Sequence, residues 1–95
     1  MNYLKTLGFE DSVIELINKN FPKAALNTLT TEEAKVTQNI QYLKDLGISN
    51  YVDAFVKFYN MFLLDNDIFD SIFSKYDKDD LIAKLEKNIA IMEYL

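Results

Sequence analysis

Apolar residues recur at three- and four-residue intervals along almost the whole chain, and no stretch keeps the two-residue rhythm of a half-buried strand. Residues 2–7 read as a short helix stopped at Gly8. A second helix spans 11–20, with Val13, Leu16 and Ile17 on one face and Glu15, Asn18 and Lys19 opposite. Phe21-Pro22 interrupts it, and Pro22 suits the first turn of a further short helix reaching residue 29. Thr30 and Glu33 have the spacing of a capping box, so the next helix is expected to start there and run to Leu46 over Val36, Ile40 and Leu43. Ser49 is placed to cap a helix over 50–63. Asp67 opens a short helix bearing Ile68, Phe69, Ile72, Phe73 and Tyr76. Asp77 caps a last one running to the end through Leu81, Ile82, Leu85, Ile89 and Met92. The predicted fold is all-α, one domain of five to seven helices with tight connections.

The helix over 50–63 is apolar nearly all round. Val52, Phe55, Val56, Tyr59, Phe62 and Leu63 form one stripe, and Tyr51, Ala54, Phe58 and Met61 form a second. Only Asp53, Lys57 and Asn60 remain polar. Such a helix is either central to the fold or covered by a partner. In the second case Tyr51, Ala54, Phe58 and Met61 are the candidate partner-binding residues, being of types enriched at interfaces.

One string occurs twice: Tyr-Leu-Lys-x-Leu-Gly at 3–8 and at 42–47. Glycine takes the left-handed conformation that ends a helix without a Cβ penalty. With Gly8 as the stop, Leu4 and Phe9 fall where a Schellman terminator places its apolar contact; with Gly47 the pair is Leu43 and Ile48. A period of 39 residues predicts two stacked helical-hairpin repeats, 3–41 and 42–93. Gly8, Gly47 and Pro22 are therefore assigned structural roles.

Composition narrows the chemistry. Hydrophobic residues make up 49% of 95 and aromatics 14%, enough for one modest core. No apolar run is long enough to span a membrane, and the N-terminus lacks a signal peptide's basic and apolar regions, so a cytoplasmic location is expected. The absence of Cys and His removes thiolate nucleophiles, zinc–sulfur sites and the usual general base. Two glycines cannot build a phosphate loop. Neither catalysis, a cofactor, a metal nor a small-molecule substrate is expected. The net charge is −5 and arginine is absent, which argues against direct nucleic-acid binding. Most of the acidic excess lies in Asp65, Asp67, Asp70, Asp77, Asp79 and Asp80. Neither Asp65 nor Asp77 opens a calcium loop: counting from them, the fifth positions are Phe69 and Leu81 and the twelfth Tyr76 and Asn88.

The unit of helix, Leu-x-x-Leu-Gly, helix and Pro-led short helix resembles the repeat of mitochondrial transcription termination factors. Leu4-Lys5-Thr6-Leu7-Gly8 with Pro22-Lys23-Ala24-Ala25 carries the likeness, and Leu43-Lys44-Asp45-Leu46-Gly47 matches its first part again. In the second copy Met61 takes the proline position, with Met61-Phe62-Leu63-Leu64 supplying the leucines, and Glu93-Tyr94-Leu95 looks like the start of a third copy. The resemblance implies a helical solenoid; the nucleic-acid function it also implies would rest on Lys5, Lys19, Lys23 and Lys44. The functional expectation is a non-enzymatic module binding a protein partner or a second copy of itself through the aromatic surface of the second repeat. The alternative is an acidic inhibitor of the phage or mobile-element type, whose aspartates imitate a nucleic-acid backbone and occupy a basic groove.

Overall fold

The computed structural model describes residues 2–95. Among them are seven α-helices and no strand: α1 (Tyr3–Thr6), α2 (Asp11–Asn20), α3 (Lys23–Thr31), α4 (Glu33–Leu46), α5 (Tyr51–Phe58), α6 (Asn66–Ser74) and α7 (Lys78–Lys87). Two 3₁₀ helices, Tyr59–Leu63 and Ile89–Tyr94, follow α5 and α7. The fold is all-α.

Both glycines end a helix in the same way. Gly8 and Gly47 each have φ of +100°. The Gly8 N–H donates to the Lys5 carbonyl and the Phe9 N–H to the Leu4 carbonyl, both at 3.1 Å. Gly47 and Ile48 repeat this on Lys44 and Leu43, again at 3.1 Å. These are the two bonds of a Schellman terminator, and Leu4, Phe9, Leu43 and Ile48 are all buried beneath them.

The two segments then reach a matched bend. Phe21 and Pro22 are extended (φ −74°, ψ 144°; φ −56°, ψ 145°) before the nine-residue α3. Leu64 and Asp65 adopt nearly the same angles (φ −66°, ψ 151°; φ −55°, ψ 145°) before the nine-residue α6. Asp65, not Met61, therefore stands where Pro22 stands. Met61 lies inside the 3₁₀ helix, which takes up most of the four extra residues in the second segment. Phe58 (φ −133°, ψ 42°) breaks the helix predicted over 50–63.

Several predicted caps fall differently. Thr30 is inside α3, which runs on to Thr31; the hydroxyls of Thr28, Thr30 and Thr31 each donate to the carbonyl four residues back. A threonine so engaged continues the helix instead of capping the next, and Glu32 precedes α4. Asn50 precedes α5, while Ser49 reaches Glu86. Asp77 does cap α7, its carboxylate accepting from the Asp80 N–H at 3.1 Å. Asn88 is extended (φ −153°), so α7 stops short and Tyr94 lies in a 3₁₀ helix, not at the end of an α-helix as Tyr42 does.

A run of rings joins the segments. Phe9 meets Phe55 at 5.5 Å between centroids, Phe55 meets Phe62 at 5.3 Å, Phe62 meets Phe69 at 5.3 Å, and Phe69 meets Phe73 at 4.8 Å. Edge and tilted arrangements of this kind suit the aromatic quadrupole. Hydrogen bonds tie the same elements: the Tyr3 hydroxyl donates to Leu29 O (2.8 Å), while Tyr51 and Lys44 both donate to Leu7 O (2.8 and 3.0 Å). Asn39 is the buried polar residue of the core, and holds α4 against the 3₁₀ helix after α5.

Candidate interaction surface

α5 is central, which accounts for its apolar circumference. It packs against α4 and both 3₁₀ helices. Ala54 is fully buried, so it cannot meet a partner. Tyr51 is half-buried with its hydroxyl on Leu7 O; its ring sits edge-on to Phe9 at 6.0 Å, with the Lys44 ammonium 5.5 Å from its centroid. Ala54 belongs to the interior and the Tyr51 hydroxyl and ring are engaged within the molecule, so the expected patch does not form with all four residues.

Phe58 and Met61 remain at the surface edge, half-buried. With Lys57, Tyr59, Asn60 and Glu93 they line an open groove of about 210 Å³. The Phe58 backbone break turns Met61 and Asn60 around the end of α5 and so opens this groove. Tyr94 follows Glu93 and is 81% exposed, the most exposed large apolar side chain among the described residues. Sequence reasoning passed over Glu93 and Tyr94 as the start of another repeat. The signal was in the spacing: Ile89 and Met92 are three apart and buried, and a 3₁₀ helix stacks residues three apart on one side. Tyr94 falls off that side and projects outward.

The six aspartates lie at the start of and along α6 and around the start of α7. Asp65 pairs with Lys35 at 2.9 Å, which also lies 3.5 Å from Glu32. The Asp65 hydrogen bond, ahead of the charges of Asp65 and Glu32, raises the Lys35 pKa. Asp67 accepts from the Ile68 N–H in the first turn of α6, and Asp70 lies further along that helix. Asp77, Asp79 and Asp80 surround the start of α7, where helix-dipole and capping interactions favour them; Asp80 pairs with Lys84 at 3.0 Å. Among the described residues no three His, Cys, Asp or Glu side chains converge as metal ligands.

Of the four lysines considered for nucleic-acid binding, Lys5 is paired with Asp11 at 3.2 Å and Lys44 is engaged by Leu7 O and the Tyr51 ring. Lys19 and Lys23 are exposed on α2 and α3. Two tyrosines titrate high. Burial, then the charge of Glu33, pushes Tyr3 from 10.0 to about 12; burial, then Asp70, raises Tyr42.

Among the described residues no helix is long and apolar enough to cross a membrane. Compared with protein-family models, curated proteins and solved structures, the chain matches none.

Proposed function

We propose that the chain is a non-enzymatic interaction module that seats an apolar side chain of a different protein in the groove lined by Phe58, Tyr59 and Met61, beside Glu93 and the exposed Tyr94 that follows it. The observation that carries this reading is the groove itself, lined by the half-buried Phe58, Tyr59 and Met61, with the 81% exposed Tyr94 next in the chain to its Glu93. Tyr and Met are common anchors in interfaces, because they bring large contact area at modest entropic cost. A groove of about 210 Å³ has room for one aromatic or aliphatic side chain. Two chains of charge −5 also repel each other. A heterologous segment is therefore the occupant. The lack of His, Cys and a phosphate loop supports a binding role over a catalytic one.

A photo-cross-linker placed at position 61 or 94 tests this in an extract of the native host. The reading expects both positions to label the same protein, the control position 78 on α7 to label none of it, and added salt to change little. Labelling from position 78 with a steep salt dependence would replace this reading with the acidic nucleic-acid mimic. A low-salt gel shift with duplex DNA or RNA would instead support the solenoid-type nucleic-acid binder. Sedimentation as a dimer that Tyr94→Ala abolishes would make the partner a second copy.

A further inference from the structure

We propose that the groove between α4 and α6 is a receptor for a guanidinium group, supplied by an arginine side chain of another molecule. Gln38, Gln41, Tyr42, Asp45, Asn66 and Asp70 line it, around a cavity of about 340 Å³. Its chemistry is that of an acceptor surface. Asn66 uses its amide nitrogen internally, donating to Lys35 O at 3.1 Å and to Asn39 Oδ1 at 2.8 Å. That leaves the Asn66 carbonyl oxygen as its outward polar atom. Gln41 donates to Asp45 Oδ1 at 2.8 Å, fixing that carboxylate at the rim and leaving the Gln41 carbonyl oxygen unengaged. Asp70 also lines the groove, and among the described residues its carboxylate accepts no hydrogen bond. No lysine lines the groove.

Tyr42 supplies an aromatic wall. Its ring meets Phe69 and Phe73 in the core at 6.1 Å each, and its hydroxyl donates to the Asp70 carbonyl at 3.4 Å, so its orientation is held from behind. Two carboxylates, amide oxygens and an aromatic wall together match a planar cation with five N–H donors and no acceptor. A guanidinium can stack on the ring while forking to a carboxylate. A lysine ammonium satisfies the charge but not the fork. This chain contains no arginine, so neither its own side chains nor a second copy can fill the site.

Titration of the isotopically labelled protein with end-capped arginine tests the proposal without any partner. Side-chain amide signals of Asn66, Gln38 and Gln41 should shift saturably, with a dissociation constant on the order of a millimolar for so small a ligand. End-capped lysine should bind several-fold more weakly. The double variant Asp45→Asn with Asp70→Asn should weaken arginine binding about tenfold or more, with an unchanged backbone spectrum. Equal shifts around Asp77, Asp79 and Asp80, or no loss in the double variant, would show plain counter-ion attraction and overturn the proposal. Because the ligand is a single amino acid, either outcome leaves the groove at Phe58 and Met61 to be judged separately.

Discussion

Replacing Asn39 by leucine removes the one buried polar side chain among the described residues while keeping its branched shape and number of heavy atoms, though leucine is the bulkier of the two. The Asn39 amide nitrogen donates to Phe62 O and Leu64 O, both at 2.9 Å, and its oxygen accepts from Asn66 at 2.8 Å. Leucine leaves both carbonyls without that donor, at a cost of about 1–3 kcal/mol each, with the part-buried Leu64 carbonyl at the low end. Asn66 keeps its bond to Lys35 O and loses less. The new apolar side chain contributes back about 1.5–3 kcal/mol. The net expectation is a loss of about 2 kcal/mol. With a urea slope of about 1–1.5 kcal/mol per molar, the midpoint followed by far-ultraviolet circular dichroism should fall by about 1.3–2 M. Asn39→Asp should cost more at neutral pH, since burial disfavours the carboxylate and raises its pKa. A folded pKa above the unfolded value of about 3.9 means that the folded state binds the extra proton. Part of the lost stability should therefore return as the pH falls towards 4. A midpoint for Asn39→Leu equal to or above wild type would refute the reasoning, because the amide would then not be holding the turn after α5.

The two glycine stops should respond unequally to alanine. Each φ of +100° carries a penalty of about 1–2 kcal/mol for an L-residue, but a Cβ at Gly8 would lie 2.5 Å from the Tyr51 hydroxyl oxygen, whereas at Gly47 the nearest neighbour is Ile82 Cδ1 at 3.4 Å. Gly8→Ala should therefore cost about 1 kcal/mol more than Gly47→Ala in thermal melts, through the lost Tyr51 bond to Leu7; equal losses would contradict the packing. Tyr3, raised to about 12, gives stability that is complete below pH 10 and declines from there through about pH 12, because the unfolded chain loses that proton first. Tyr3→Phe should flatten the decline in urea midpoint over that window, and an unaltered slope would sink the assignment. Next to the groove's Glu93, Tyr94→Ala should leave the melting temperature nearly unchanged while weakening partner binding, since so little of the ring is buried.

The terminators were legible because their requirement is local. Only glycine sits comfortably at positive φ, and the flanking leucine, phenylalanine and isoleucine show which contact closes each stop. The second bend was not legible by counting. Its displacement from Met61 to Asp65 depends on the 3₁₀ helix, whose Phe62 carbonyl, with that of Leu64 beyond it, is held by Asn39 from 23 and 25 residues away. Thr30 looked like a cap because a threonine side chain can bond forwards or backwards, and the packing of α3 decides between them. For α5 the apolar pattern correctly left two readings open. Burial of Ala54 follows from the helices around it, which periodicity in one segment cannot reveal. The groove that remains, Phe58 and Met61 with Glu93, unites residues more than thirty positions apart.

The central claim is that two glycine-stopped helical segments share one interior, from which both grooves follow. Native-state hydrogen exchange at the Phe9 and Ile48 amides tests it most directly, since each N–H closes the equivalent terminator on Leu4 and Leu43. The account predicts opening free energies within about 1 kcal/mol of each other, falling in parallel as urea is added. A Phe9 amide that exchanges freely while Ile48 stays protected would contradict it.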